Sequence, residues 1–214
     1  EIKTLKTNLD TENYDKLLPS IETQGIDINN KDSRGVIIRG YEDINSNHYL
    51  YEKIITKKLK YINFNQIIIG DALAKDLKLQ IGDKLKLAIP KTDKSLLGEI
   101  PRFKTLTVSG IFDFGMYEYD VGLVFISLEL AQTLLLFEDN YFNRIEFYLD
   151  NPLLVHKFKS QVDLNIKNKS LSLYSISWME RNSSLMNALK VEKNVMFLIL
   201  TLIIVVASMN IISG

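Results

Sequence analysis

The sequence contains no cysteine, which excludes disulfide bridges and cysteine-based metal sites. Its two histidines, His48 and His156, have no metal-ligand partner at suitable spacing, so we expect locally satisfied or exposed side chains and no bound metal. No P-loop and no Gly-x-Ser-x-Gly elbow occurs. Tyr117–Asp120 (YEYD) could pair two carboxylates, but without a catalytic partner a polar turn is the better interpretation. The residues predict no catalytic site and no cofactor.

An excess of charge of either sign is also missing. Lys and Arg total 26 and Asp and Glu total 26, so no basic surplus exists to neutralise the phosphates of a nucleic acid. The first residue is Glu1, not Met, and no signal peptide precedes it. We therefore expect the chain to be a fragment of a longer protein.

The C-terminal segment 195–214 contains no charged residue, and about twenty such residues span a hydrocarbon core of ~30 Å. A buried helix of a soluble domain is the alternative, but such helices rarely run so long without a charge. Arg181, Lys190 and Lys193 precede the segment and alone would indicate the cytoplasm. The rule that positive residues flank a membrane helix on its cytoplasmic side is weak beside a large domain, which translocates largely regardless of charge. We predict a truncated transmembrane helix over residues 195–214.

Apolar runs and alternating patterns predict a series of strands. Lys84–Ile89 is the clearest, because Leu85, Leu87 and Ile89 alternate with more polar positions. The other predicted strands are Gly35–Gly40, Gln66–Ile69, Thr105–Phe112, Gly122–Ile126, Arg144–Leu149 and Leu171–Ile176.

Capping residues predict where helices begin. Asp71 is expected to cap a helix that runs through Lys78, and Ser127 a helix that ends near Leu136. Asn151–Pro152 begins another helix by the cap-then-proline rule. A short helix is expected around Tyr14–Thr23, and a long loop or short helix over Tyr41–Asn65.

The segment from Ser177 onward predicts one long helix. Ser177-Trp-Met-Glu180 is a capping box, and no Pro or Gly follows before Gly214. The same helix is therefore expected to run from Trp178 to about Ser213, as a stalk from the domain into the membrane.

The order of elements predicts an α+β fold with two subdomains, followed by the start of a transmembrane helix. The sequence divides into a partial segment at 1–34, a strand-rich subdomain at 35–137, an α+β subdomain with the stalk helix at 138–194, and the transmembrane helix at 195–214.

The connection Pro90–Pro101 between two paired strands carries apolar side chains where hairpin tips are usually polar. These are Leu96, Leu97 and Ile100. They either fold back on their own domain or form an arm that inserts into a groove of another protein, and the residues alone leave both alternatives open.

Three segments, in the correct order, resemble the LolC/LolE family of lipoprotein-releasing ABC-transporter permeases. Gln66–Leu87 (QIIIGDALAKDLKLQIGDKLKL) is similar to the periplasmic domains of MacB-like permeases generally. Val108–Asp120 (VSGIFDFGMYEYD) looks like the lipoprotein-releasing branch, and Trp178–Gly214 looks like that family's entry into its second transmembrane helix. The resemblance covers roughly residues 35–214.

The resemblance implies a subunit of a transporter in the inner membrane of a Gram-negative bacterium, with this domain in the periplasm. Its partners would be LolD-like ATPase subunits, which bind the ATP, and a second LolC/LolE-type permease subunit. The cargo would be lipoproteins, passed to a soluble LolA-like carrier. The fragment 1–34 would be part of a Porter-like subdomain, residues 35–137 a Sabre-like subdomain, and residues 138–194 the rest of the Porter.

The resemblance also implies a hook, a hairpin that enters the cavity of the carrier. Its residues here would be Ser95, Leu96, Leu97, Gly98, Glu99, Ile100, Pro101 and Arg102, flanked by the basic residues Lys86 and Lys104. Leu97 stands where LolC proteins often have Met. Glu99 replaces a basic residue, and Phe103 lies where a polar contact residue is expected, which puts the electrostatic part of docking in doubt.

Two other classes of function compete with lipoprotein release. A MacB-like efflux permease, or an FtsX-like one that acts on a periplasmic partner, would share the membrane helix but lack an apolar carrier-binding hook. A soluble or surface-anchored enzyme or adhesin would need a polar constellation that the sequence does not contain.

Overall fold

The computed structural model describes residues 14, 16–29, 32–43, 48–55, 61–89, 101–138 and 141–214. The strands are β1 (Lys16–Asn29), β2 (Asp32–Tyr41), β3 (Gln66–Gly70), β4 (Lys84–Ile89), β5 (Arg102–Phe112), β6 (Leu123–Ser127) and β7 (Arg144–Tyr148). The helices are α1 (His48–Lys53), α2 (Asp71–Asp76), α3 (Tyr117–Gly122), α4 (Leu128–Leu135), α5 (Val155–Asn168), α6 (Trp178–Arg181) and α7 (Ser183–Ser213), and a 3₁₀ turn covers Pro152–Leu154.

Six of the strands close into a ring. The sheet order is β2-β6-β3-β5-β4-β1-β7, and β1 also pairs with β2. β1 can pair with both β2 and β4 because it is 14 residues long. The two ends of the six-stranded sheet therefore meet as in a barrel, and β7 extends the sheet beyond β1.

The main hydrophobic core fills the inside of this ring. Each of the six strands contributes alternate residues to it, and α2 and α4 add Leu73, Leu77, Leu130 and Leu134. The strand residues include Ile21, Val36, Ile38, Ile67, Ile69, Leu85, Leu87, Leu106, Val108, Val124 and Ile126. A second cluster lies on the outside, where Leu50 and Ile54 cover Ile68, Phe112 and Phe125.

The predicted strands from Gly35 to Leu149 are all confirmed, with small shifts at their ends, and so is the α+β class. Three predicted caps are also confirmed. The side chains of Ser127, Asn151 and Ser177 accept hydrogen bonds from Leu130 N, Leu153 N and Glu180 N. At Ser177 both halves of the capping box are present.

The short helix predicted around Tyr14–Thr23 is wrong, because Lys16–Thr23 belongs to β1. Antiparallel pairing of Ile21–Asn29 with β2 satisfies the backbone and buries Ile21 in the ring. The cap predicted at Asp71 is also wrong. Gly70 is the N-cap residue, and Asp71 lies in the first turn of α2, where it forms an ion pair with Lys75.

The strand predicted at Leu171–Ile176 is wrong. The segment has the alternating burial of a strand, with Tyr174 and Ile176 exposed, but it forms no ladder with any part of the chain that the structure describes. An alternating pattern makes a strand only where a neighbouring strand supplies hydrogen bonds.

The single stalk helix predicted from Trp178 to Ser213 is interrupted. α6 ends at Arg181, Asn182 has non-helical angles of φ −102° and ψ 34°, and α7 begins at Ser183. The side-chain amide of Asn182 donates a hydrogen bond to the carbonyl of Trp178, four residues earlier. Asn disfavours helix interiors because its side chain competes in this way for backbone groups.

α7 is long and apolar enough to cross a membrane, by its length and composition. Its 31 residues extend over about 46 Å, and its side chains are exposed. The predicted uncharged span, 195–214, forms its C-terminal part.

The contacts divide the chain into two compact units, of which one contains Lys16–Phe147 and the other Tyr148–Gly214. The subdomain boundaries proposed from the sequence, after residues 34 and 137, lie inside the first unit. The assignment of Porter-like and Sabre-like parts stays a prediction.

Candidate functional site

The predicted hook leaves the ring between β4 and β5. These strands pair antiparallel, and Ile89 opposite Arg102 is the last pair before the connection. Residues Ser95, Leu96, Leu97, Gly98, Glu99 and Ile100 lie outside the described residues, whereas Pro101 is described and exposed. What the structure defines is therefore the base of the hairpin.

Arg102, predicted as part of the hook, holds this base to the helix α4. Its Nη1 donates a hydrogen bond of 3.2 Å to the carbonyl of Leu134, at the C-terminal end of α4. A helix C-terminus carries partial negative charge and unpaired carbonyls, so a guanidinium is favoured there. The side chain of Arg102 thus joins the start of β5 to a neighbouring helix.

The two flanking lysines lie on opposite faces of the hairpin. Lys86 is opposite Thr105, and Lys104 is opposite Leu87, so the two lysines belong to different cross-strand rows. Directly opposed residues of antiparallel strands point to the same face, and successive residues alternate. Lys86 is therefore on the outer face, and Lys104 is on the face that carries the buried Leu87.

Each lysine lies over an aromatic ring. Lys86 Nζ is 4.1 Å from the centroid of Phe103, and Lys104 Nζ is 4.9 Å from the centroid of Phe64. These cation–π contacts are worth roughly 0.5–1 kcal/mol at exposed sites. They fix the position of a positive charge on each face of the hairpin base.

An apolar row with two exposed ends and a buried middle residue, Ala88, lies on the outer face next to Lys86. Ile26 pairs with Ala88, and Ala88 pairs with Phe103, so the three side chains form one row across β1, β4 and β5. Ile26 is 45% exposed and Phe103 is 47% exposed. We call Ile26, Ala88, Phe103 and Lys86 the outer patch. Sequence reasoning missed Ile26 because no strand was predicted in the first 34 residues.

The acidic segment Tyr117–Asp120 serves the fold. Asp120 is buried, and its Oδ1 accepts a hydrogen bond of 2.8 Å from the backbone N–H of Phe114. Burial raises the pKa of Asp120. The segment packs closely on the end of β3, since a Cβ at Gly70 would overlap the backbone oxygen of Asp120. Asp120 thus shapes the turn before α3.

Asp27 is a second carboxylate that sequence reasoning missed. It lies in β1 with no exposed surface, and neither carboxylate oxygen has a hydrogen-bond partner within the described parts of the chain. Desolvation raises its pKa to about 7. Only knowledge of the long-range pairing of β1 could have shown its burial.

Among the described residues, no group of three or more His, Cys, Asp or Glu side chains could hold a metal ion. His156 is exposed on α5.

Comparison with known proteins gives several lipoprotein-releasing relatives. The lipoprotein-releasing system transmembrane protein LolC of Xylella fastidiosa is 31% identical over 149 residues, which are 69% of this chain and 35% of that protein. LolC of Buchnera aphidicola is 31% identical over 161 residues, 75% of this chain and 38% of that protein. LolE of Haemophilus influenzae is 26% identical over 149 residues, 69% of this chain and 34% of that protein. The resemblance seen in the sequence is confirmed.

The chain spans about a third of the length of these curated relatives. No family model matches it. Among solved structures, the extracellular domain of the noncanonic ABC-type transporter YknZ from Gram-positive bacteria has a TM-score of 0.48 at 8% identity, covering 78% of this chain and 83% of that chain. The periplasmic region of MacB from Actinobacillus actinomycetemcomitans has a TM-score of 0.42 at 10% identity, covering 82% and 84%.

Proposed function

We propose that this chain, a homologue of LolC and LolE proteins, is part of the permease subunit of an ABC transporter that extracts lipoproteins from the inner membrane of a Gram-negative bacterium. In this proposal the domain lies in the periplasm and passes the lipoproteins to a LolA-like carrier. LolD-like subunits hydrolyse the ATP, and a second LolC/LolE-type permease subunit completes the membrane part.

The similarity to LolC proteins over about 70% of the chain carries this proposal. The hairpin base also supports it. The connection 90–101, which carries Leu96, Leu97 and Ile100, joins the paired residues Ile89 and Arg102, and Arg102 is held to α4. A connection between two paired strands of a well-packed barrel is suited to bind another protein.

The chemistry of a lipid carrier explains why the tip would be apolar. A carrier of acylated proteins has a hydrophobic cavity, which an intruding side chain such as Leu97 can occupy only while no acyl chains fill it. The empty carrier would dock and the loaded one would leave. Burial of one Leu contributes ~1.5–3 kcal/mol, which corresponds to a roughly ten- to hundredfold difference in affinity.

Leu97→Asp tests the proposal. We expect this change to abolish the pull-down of a purified LolA-like carrier from the same organism by the detergent-solubilised protein, and to leave Tm nearly unchanged. Ile81→Asp is the matched control, because Ile81 is 51% exposed and precedes the opposite end of β4. The control should bind the carrier as the unmodified protein does.

A lowered Tm of the Leu97→Asp protein would show instead that Leu97 packs on its own domain. Undiminished pull-down would exclude Leu97 as the anchor. If the unmodified protein did not bind the carrier, the MacB-like or FtsX-like alternative would be favoured.

A further inference from the structure

A hydrogen bond and an ion pair hold the short helix α6 to α5 and to the turn before it. Trp178 Nε1 donates a hydrogen bond of 3.1 Å to the carbonyl of Pro152, in the turn before α5. Lys159 of α5 lies 3.5 Å from the carboxylate of Glu180. The backbone N–H of Ser177 also donates to Glu180, and this bond lowers the pKa of that carboxyl group. The first turn of the predicted stalk therefore belongs to the body formed with α5.

The helical path changes immediately after this turn. The carbonyl of Trp178 accepts two hydrogen bonds from Asn182, one from the backbone N–H at 3.1 Å and one from the side-chain amide at 2.8 Å. Asn182 itself leaves the helical region, and its carbonyl accepts the N–H of Met186 as α7 begins. No side chain caps the N-terminus of α7, although Ser and Asn surround it.

α7 stays helical after this joint, although the hydroxyls of Thr201 and Ser208 also donate to carbonyls four residues earlier. It continues for 31 residues without an interior Pro or Gly, the residues that most often kink helices. On one side of Asn182, α6 is held to α5 and to the turn before it, and on the other side α7 is a continuous helix. The two helices meet at one residue with non-helical backbone angles.

We infer that Asn182 is a hinge, about which α7 and the body formed by α5 and α6 change their relative orientation. Such a joint absorbs a change in φ and ψ at a position where an element ends. The inference goes beyond the proposed function and does not depend on the cargo. It replaces the single stalk helix predicted from the sequence with two helices joined by a hinge.

The change in orientation can be measured by spin labelling. This sequence contains no cysteine, so two introduced cysteines provide its two labelling sites. Spin labels at Lys157→Cys on α5 and Val191→Cys on α7, both exposed, report the distance across the joint in the intact protein in lipid nanodiscs. We expect a broad distance distribution. Asn182→Ala removes the competing amide and supplies the best helix former, so it should narrow the distribution and shift its mean.

Asn187→Ala is the matched control, since Asn187 is exposed within α7 and the change is chemically the same. This control should leave the distribution as broad as in the unmodified protein. Asn182→Gly should broaden it further. The inference is overturned if Asn182→Ala leaves width and mean unchanged, or if Asn187→Ala narrows the distribution as much.

Discussion

Asp27 combines complete burial with the absence of a partner in the described parts of the chain. Its neighbours across the ladders are Arg34 on β2 and Leu87 on β4. Arg34 is engaged elsewhere, with its Nη2 3.2 Å from Asp76. An unpaired charge inside a protein is costly, so the carboxyl group keeps its proton and its pKa rises to about 7.

This raised pKa predicts a pH-dependent stability. The folded pKa exceeds the unfolded value of 3.8, so the contribution of Asp27 is fully present below pH 3.8 and is lost as the pH rises through about 7. The loss is at most roughly 4 kcal/mol. We expect Asp27→Asn to remove the part of the pH dependence that comes from Asp27 and to raise the free energy of unfolding at pH 8. Denaturant unfolding at pH 5 and pH 8 measures both effects.

Asp32→Asn is the control for this prediction, because Asp32 is exposed at the start of β2. It should keep the same difference between pH 5 and pH 8 as the unmodified protein. Parallel pH curves for Asp27→Asn and the unmodified protein would contradict the prediction.

Residues whose role is local could be predicted from the sequence. The caps at Ser127 and Ser177 need only groups within three residues, and both were found. Asp27 could not be found in this way. Its burial depends on β4, some sixty residues later, and charged residues are usually exposed.

At the scale of elements, the base of the hairpin depends on Arg102. Replacing it with Met keeps the aliphatic stem and removes the hydrogen bond to the carbonyl of Leu134. Hydrogen bonds to charged groups contribute ~1.5–3 kcal/mol, and partial exposure here favours the lower end. We expect Arg102→Met to lower Tm by about 3–6 °C, measured by thermal melting in detergent.

Lys84→Met is the control, because Lys84 is an exposed residue of β4 and the change likewise removes one positive charge. Its Tm should stay within the error of the unmodified protein. Equal losses for both variants would indicate a general effect of charge, and the assigned anchor would be wrong.

The elements show the same division between local and distant causes. β4 was predicted with its observed bounds because its alternation is complete within six residues. The first part of β1, up to Thr23, was mistaken for a helix, and the rest of the strand was missed, because its pairing with β2 and β4 lies outside any local pattern. The break at Asn182 was missed because neither Pro nor Gly marks it, and an Asn with the same side-chain bond, Asn165, leaves α5 unbroken.

At the scale of the whole unit Lys16–Phe147, closure of the ring determines which residues lie beside the base of the β4–β5 hairpin. Because β1 pairs with β4, Ile26 lies beside Ala88 and Phe103. The outer patch is thus assembled from the β4–β5 hairpin and from β1, which lies far from it in sequence. The family resemblance named Lys86 and Lys104 as equivalent flanks, but the register of β4 and β5 separates them to two faces. Lys86 and Lys104 could therefore be proposed from the sequence, whereas the face on which each lies could be known only from the strand register.

This separation gives a prediction that rests on the proposed function. A carrier that receives the hook and rests against the apolar row of the outer patch would meet Lys86, which is held over Phe103, and not Lys104, which lies over Phe64 on the other face. Reversal of a charge at the rim of an interface acts mainly on the association rate and on its salt dependence. We expect Lys86→Glu to slow association of the LolA-like carrier by about tenfold at low salt, and this deficit to shrink at high salt as screening increases.

Lys104→Glu is the matched control, with the same change of charge on the same hairpin. It should leave the association rate nearly unchanged, as measured by surface plasmon resonance with the intact protein in nanodiscs. Equal slowing by both variants would mean that the carrier surrounds the hairpin on both faces. Slowing by Lys104→Glu alone would place the contact on the face of Leu87, and the outer patch would then have no part in docking.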